Sequence, residues 1–286
     1  MPYLIIAIVF GSLFAILFKI FQKSGVNALQ AIGVNYITAL ILGSMGNIVV
    51  GAPVVSAGLW IVPALLAGLF MMGGFVVMNS ATRVYGVAVA TIAARISFVV
   101  PVLCAYWFLG GNEPEWTASL LVVLSLLLIF YKRDAVVGNI NGWFLPLLVF
   151  LCYGLANFFL KMGQQMVADA GGGDADLRMI TTIAFAAALL YTLIYYYWIQ
   201  PAERREPYAW RNMWAGVLLG VTNMGCTYFL LKSLMVIDAV LFYPIYNIAI
   251  VSIAVLVGRM CFGERLSWSQ YGGIAVAVVA IVLFFC

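Results

Sequence analysis

The sequence contains no histidine, and its 286 residues carry only 14 basic and 10 acidic side chains, so that charged residues make up 8% of the chain. A soluble domain carries roughly 25%. So few charges cannot clothe a water-facing surface, which excludes a soluble enzyme, a nucleic-acid binder and a receptor with a folded ectodomain. Without histidine, and with no Asp or Glu inside the apolar runs, the usual proton relay of a membrane pump lacks its titrating groups. The five cysteines, Cys104, Cys152, Cys226, Cys261 and Cys286, form no CxxC pair and lie within or at the end of apolar runs. Neither a disulfide framework nor a zinc site is expected, and no cofactor is implied. Paired carboxylates, a Ser/His arrangement and HExxH are all missing, which argues against an intramembrane enzyme.

What the chain has in abundance is apolar length: 66% of its residues are hydrophobic. Runs long enough to cross a bilayer recur along it, punctuated by charges, Gly, Pro or Asn. The expected spans are Pro2 to Phe21, Asn27 to Val50, Gly58 to Ala81, Val87 to Leu109 and Trp116 to Tyr131, then Gly142 to Met166, Leu177 to Ile199, Trp210 to Ser233, Ala239 to Phe262 and Trp268 to Cys286. Barrel strands would alternate polar and apolar residues, whereas these runs are apolar on every face, so helices are expected. Ten such spans use roughly 200 positions and leave no room for a soluble domain. The first run lacks the basic flank and small-residue cleavage site of a signal peptide and is read as a retained helix.

The two halves repeat each other. Gly68 and Gly73 recur as Gly220 and Gly225, a separation of 220 minus 68, or 152 residues, and the same step carries Gly111 onto Gly263 and Trp116 onto Trp268. Earlier in each half, Lys19 and Gln22 match Lys161 and Gln164 at a step of 142. A duplicated unit with an odd number of crossings enters the membrane from the opposite side, so the expected fold is an all-α polytopic membrane protein with ten transmembrane helices as a five-plus-five inverted-topology repeat. The units are residues 1–133 and 142–286, joined by a loop at 134–141.

Lysine and arginine are distributed unequally between the two faces this topology creates. One face collects Lys19, Lys23, Arg83, Lys132, Arg133, Arg204, Arg205, Arg211, Arg259 and Arg265, and the other only Arg178 and Lys232. The positive-inside rule makes the first face cytoplasmic and puts both termini outside, in a multi-pass protein of the inner or plasma membrane.

The stretch Phe262-Gly263-Glu264, with Leu266 and Gly272-Gly273 opening a final small-residue helix, resembles the end of EamA-type members of the drug/metabolite transporter superfamily. Ser97, Pro101, Gly111 and Trp116 resemble the corresponding end of that family's first repeat, although Asn112 replaces its loop glutamate and Pro244 lies about nine residues before the position matching Pro101. The resemblance implies a carrier of small polar or amphipathic metabolites. Many such proteins keep both termini in the cytoplasm, contrary to the charge count.

A polar side chain at mid-depth is costly unless another helix or a water-filled cavity receives it, so such residues are the candidate site. Arg95, on a helical stripe with Thr91, Phe98 and Val102, offers a planar fork suited to a carboxylate or phosphate; the bland alternative is that it snorkels or ties down carbonyls at a helix break near Pro101. Tyr153 and Asn157 lie one turn apart, Tyr246 and Asn247 are adjacent and so cannot both face one point, and Asn223, Tyr228 and Ser12 complete the set. For each, ordinary interhelical hydrogen bonding is the competing reading. As a set they suggest a wet central cavity. Lys19 is expected to snorkel to the interface, Glu264 to act as a cap or loop anchor, and Gly216 with Gly220 to mark close helix packing.

The expected function is therefore a secondary transporter of a small polar metabolite with an anionic group, acting as uniporter or exchanger. The alternative is a flippase for a lipid-linked substrate. The expected partners are the substrate and the bilayer, with no nucleic acid; small residues in the last helix would allow a homodimer.

Overall fold

The computed structural model describes residues 2–48, 58–109, 116–130, 144–171, 174–201, 207, 209–234 and 239–285. Among these there is no strand. The helices are α1 (Pro2–Lys23), α2 (Ala28–Ile48), α3 (Ile61–Ile96), α4 (Val99–Leu109), α5 (Trp116–Phe130), α6 (Leu145–Asp169), α7 (Asp174–Ile194), α8 (Trp210–Leu234), α9 (Ala239–Phe262) and α10 (Trp268–Phe285). Among the described residues six stretches are long and apolar enough to cross a membrane: Pro2–Lys23, Ile61–Pro101, Leu145–Val167, Met179–Ile199, Trp210–Leu230 and Ile245–Phe262. Their outer faces carry Val9, Leu190, Leu218 and Leu256, all exposed, as hydrocarbon permits and water discourages. Tryptophans stand exposed near helix ends, Trp198, Trp210, Trp214 and Trp268 in one group and Trp107 and Trp116 in another, as in the aromatic belts of membrane proteins.

One departure from the expected spans matters for the site. The third and fourth spans are separate helical pieces, as expected, divided within α3 by the non-helical Gly86 (φ 88°, ψ 171°), but the second piece stops at Ile96 before the chain resumes as α4. Only glycine adopts such a φ without strain. The second interruption follows from Pro101, which has no N–H to offer the Ser97 carbonyl four residues earlier. The Val100 N–H takes that carbonyl instead, at 3.0 Å. A stretch meant for one crossing is thus cut into two pieces, the first of which ends at Arg95 and Ile96. The seventh helix also ends irregularly, in a π-helical turn over Tyr195–Ile199 that closes on the Gln200 N–H and runs into Pro201.

Helix packing is paired. α2 lies on α8 and α3 on α7; α1 lies on α8 and α3 on α6; α1 meets α9 and α4 meets α6; α5 packs on α10, and α2 on α7. Glycines set the closest approaches. A Cβ at Gly68 would lie 2.6 Å from Ala187 Cβ and 2.8 Å from the Ala188 N of α7, and one at Gly220 would lie 2.8 Å from the Asn35 O and 2.9 Å from Thr38 Cγ2 of α2. Gly216 presses in the same way on Val34 and on the Ala31 carbonyl. In lipid, where burying apolar surface no longer drives helices together, such close backbone approach supplies the association. The largest buried cluster centres on Phe75, which stacks on Tyr36 (centroids 5.8 Å apart, planes at 15°) and meets Phe14 and Phe18 at 5.5 and 5.8 Å.

Because the atoms facing Gly68 and Gly220 include backbone, which cannot swing aside, Gly68→Val and Gly220→Val should each destabilise the protein by about 1–3 kcal/mol. Gly272→Val is the control, with no atom within 4 Å of its Cβ position. Thermal melts of the purified protein in detergent should show two lowered midpoints and one unchanged; equal midpoints for all three would refute this account of the packing.

Candidate functional site

Arg95 occupies the last turn of α3, just ahead of the interruption at Ser97. Its Nη2 donates to the Gly11 carbonyl of α1 at 3.0 Å, and its guanidinium carbon sits 5.3 Å from the centre of the Tyr246 ring on α9. Gly11 makes this possible, since a Cβ there would come within 2.7 Å of the Tyr246 hydroxyl and 2.6 Å of Ile250 Cδ1. The Arg95 Nε is buried and has no hydrogen-bond partner. Among the described residues no carboxylate pairs with this arginine. The alternative in which Arg95 ties down a carbonyl is therefore partly realised, but the carbonyl belongs to α1 and the Nε stays without a partner.

Around the guanidinium the structure gathers groups from four helices, α1, α6, α8 and α9. Tyr246 shares a 3.1 Å contact between its hydroxyl and the Cys226 sulfur of α8. Tyr153 of α6 and Cys226 both lie within the electrostatic reach of Arg95, and Tyr153 is likewise close to Tyr36 of α2. Tyr153 is held from below by Phe75, with centroids 6.4 Å apart. Beside Tyr36, Asn35 accepts from Asn223 Nδ2 at 3.4 Å. Three further polar atoms in this layer are buried without a partner: Asn35 Nδ2, the Tyr36 hydroxyl and Thr91 Oγ1, the last one turn before Arg95. Asn35, Tyr36 and Thr91 are each no more than 4% exposed.

The layer includes some of the expected site residues and omits others. Arg95, Tyr153 and Tyr246 are brought together, Asn223 is buried against Asn35, and Asn247 is buried beside Tyr246. Ser12 is buried at the same level, but its hydroxyl donates to the Ile8 carbonyl of its own helix at 2.8 Å. Asn157 is exposed on α6, although it shares a helical face with Tyr153: one turn along the helix carries it out of the packed layer. Tyr228 is 52% exposed and packs edge-on against Phe229. Five residues from Asn223 is about 140° around a helix, so the two cannot serve one site. Asn35 and Tyr36 were not among the expected residues, yet an asparagine in the middle of the second apolar run carries the same signal that singled out Asn223. The polar layer is also packed with side chains where a wet cavity was expected; a half-open cleft of about 250 Å³ lies elsewhere, lined by Leu29, Ile32, Asn79, Ser80, Tyr195 and Gln200 among others.

A second constellation holds the interruption in α3. The N–H of Val87, first residue after Gly86, donates to both oxygens of Glu264, at 3.0 and 2.9 Å. Glu264 in turn pairs with Lys19 Nζ at 3.1 Å, and the lysine also donates to the Thr82 carbonyl at 3.4 Å. A Cβ at Gly86 would collide with the Glu264 carboxylate, and one at Gly258 would lie 2.7 Å from Glu264 Oε2. Glu264 is thus a cap, as expected, but of a helix segment 177 residues away rather than of its own neighbour. Lys19 is not snorkelling but bound. Lys161, which matches it in the other half, is exposed.

Among the described residues no group of three or more Cys, Asp or Glu side chains could hold a metal ion. No known family's sequence profile matches the chain. It is 25% identical, over 97% of its length and 95% of the relative's, to an uncharacterized protein of Haemophilus influenzae (strain ATCC 51907 / DSM 11121 / KW20 / Rd). It is also similar in fold to a protein of known crystal structure, with a TM-score of 0.58 at 15% identity over 99% of this chain and 94% of the other.

The cap predicts an order of effects. Gly86→Ala forces a left-handed φ on a residue with a side chain and displaces Glu264, and should destabilise the protein by about 1–3 kcal/mol. Glu264→Gln keeps an acceptor for Val87 but loses the ion pair, and should cost less than Glu264→Ala, which leaves Val87 unbonded and Lys19 unpaired. Melting temperatures in detergent give the ranking, and an alanine variant as stable as the wild type would refute the cap.

Proposed function

We propose that this chain is a secondary transporter that carries a small polar metabolite with an anionic group by alternating access, as uniporter or exchanger, across an inner or plasma membrane. We further propose that it is an EamA-type member of the drug/metabolite transporter superfamily, with ten crossings arranged as two inverted five-helix repeats. The observation that carries the functional reading is Arg95: a cation inside an apolar bundle, donating to the Gly11 carbonyl and set against Tyr246, with a buried Nε that has no hydrogen-bond partner. An arginine in such surroundings is expensive, and an anionic ligand is what would repay its exposure to the site.

The pairing of helices supports the repeat. If α1 to α5 correspond to α6 to α10, the contact of α3 with α7 answers that of α8 with α2, and α1 with α9 answers α6 with α4. Individual contacts correspond too. Gly68 on α7 matches Gly220 on α2, and Gly73 facing Cys152 matches Gly225 facing Phe10, steps of 225 minus 73, or 152, and 152 minus 10, or 142. Those are the two steps by which the halves align. Arg95 and Asn247 are also separated by 152 residues, so the site has a symmetric frame and an asymmetric charge.

The same correspondence shows how the two faces differ. α1 packs against α3 and is tied to it through Lys19 and Glu264, whereas among the described residues α6 does not pack comparably on α8 and Lys161 is exposed. Inverted repeats reach their other state by exchanging such arrangements, so opening the face that carries Lys19 requires its ion pair to break.

Two tests follow. Purified protein screened by thermal melt against organic acids, phosphates, sugars and amines should be stabilised by anionic compounds, and Arg95→Ala should abolish the shift. A shift that survives in Arg95→Ala would demote the arginine to scaffolding, and a response to amphiphiles alone would favour a flippase. In a second test, a cysteine placed at Asn79, in the cleft near Lys19, should react faster with a water-soluble thiol reagent in a Glu264→Gln background, in a chain whose native cysteines are replaced. Unchanged reactivity would remove Glu264 from the gate.

A further inference from the structure

We infer that Lys161 and Gln164 are a second gate, open in this structure, which closes when α6 packs on α8 so that Gln164 donates to the Leu231 carbonyl and Lys161 to that of Leu234. The inference rests on the transporter reading and adds to it the residues that hold its other state.

The closed contact between α1 and α3 supplies the pattern. Gln22 Nε2 donates to the Asn79 carbonyl at 2.7 Å and to the Asn79 side-chain oxygen at 3.2 Å, and Lys19 Nζ donates to the Thr82 carbonyl at 3.4 Å. Lys161 and Gln164 repeat Lys19 and Gln22 at the step of 142, and the step of 152 carries Asn79 and Thr82 onto Leu231 and Leu234. Both leucines keep the backbone carbonyls that the pattern needs. They belong to the last four residues of α8, whose carbonyls have no partner within the helix and favour a nearby cation.

These groups lie on the same face of the bundle. Arg211 donates to the Gly25 carbonyl, so α8 starts beside the turn that follows α1 and ends on the opposite face. The end of α6 is there too. A Cβ at Gly163 would lie 3.7 Å from Trp60 O and 3.7 Å from Pro63 Cγ at the start of α3, and α3 then runs toward Lys19 at Thr82. Among the described residues α6 nevertheless makes no packing on α8 comparable to that of α1 on α3.

The unpacked side of α6 is polar. Tyr153, Asn157, Lys161 and Gln164 follow at helical spacing, roughly opposite Leu151, Leu155, Met162 and Met166 on the helix. Tyr153 lies within the electrostatic reach of Cys226 on α8, so this stripe starts at α8 and runs outward from it. The other three are exposed, and none of them is hydrogen-bonded to another described residue. Snorkelling would account for Lys161 alone. Asn157 lies 167 minus 157, or ten, residues inside the end of the span Leu145–Val167, about 15 Å, which is beyond the reach of a short amide. An exposed amide at that depth is at home in water that enters between α6 and α8, not in hydrocarbon.

The two gates predict coupled changes on opposite faces. Single variants Asn79→Cys and Asn157→Cys, in full chains whose native cysteines are replaced, would be placed in lipid nanodiscs and their rates with a water-soluble maleimide measured. Asn157→Cys should react in the unaltered background. Glu264→Gln, which weakens the Lys19 gate, should speed Asn79→Cys and slow Asn157→Cys, each by about 3- to 10-fold. Adding Lys161→Ala and Gln164→Ala should return both rates to their starting values, because the state favoured by Glu264→Gln then lacks its gate. Those two substitutions alone should leave the melting temperature unchanged. A lowered melting temperature would tie both side chains to the resting fold and overturn the inference. So would an unreactive Asn157→Cys, which would put the stripe against lipid. If Glu264→Gln moves the rates and the two α6 substitutions do not restore them, the second gate fails and the transporter reading stands. Rates that Glu264→Gln leaves unmoved would overturn both.

Discussion

A backbone surrounded by apolar side chains and lipid has no water to satisfy a freed N–H, so a helix can be interrupted there only if some other group takes over the hydrogen bond. At Gly86 that group is the carboxylate of Glu264, which receives the Val87 N–H with both oxygens and is neutralised by Lys19. The interruption sets the direction in which the following segment runs, and the segment ends at Arg95. The position of the one arginine in the polar layer thus depends on a cap at the opposite end of the same ten-residue piece, supplied by the junction of α9 and α10. Val87 marks a helix N-terminus, where the partial positive charge of the backbone favours an anion. The carboxylate is held by a local field, a hydrogen bond and an ion pair acting together.

If the chain is a duplicated frame, as proposed, the arginine layer is where its halves differ. Equivalent glycines, Gly68 and Gly220, seat equivalent helices, so the two halves approach each other in the same way. The chemistry placed in the frame is not equivalent. Arg95 corresponds to Asn247, and Tyr153 to Gly11, one half contributing charge and an aromatic ring and the other an amide and an open carbonyl. Tyr246 and Ile250 fit against α1 because Gly11 has no side chain. On the proposed reading, symmetry would supply the two ways of packing that alternating access requires, and its violation the ligand site.

Much of this was legible in the chain. Composition alone excluded a soluble domain, the length of the apolar runs placed most helix bounds within a few residues, and Gly216 and Gly220 were recognisable as close-packing positions. Arg95, Tyr153, Tyr246 and Asn223 stood out because a polar group in an apolar run needs a reason. What could not be read was which way each side chain points. Asn157 and Tyr228 carried the same signal and lie outside the layer, because a difference of one turn or 140° is invisible until the helix has neighbours. Asn35 and Tyr36 passed unnoticed for the converse reason: nothing local says that their partners are missing.

The sequence by itself determined that the protein is helical and apolar, because these follow from the period and content of the chain. Only the tertiary structure decided that Glu264 caps Val87 across 177 positions, that Lys19 is bound while Lys161 is exposed, and that the buried Arg95 Nε has no partner. The reason is physical: periodicity is a property of neighbours along the chain, whereas the satisfaction of a buried charge is settled by whichever distant residue reaches it.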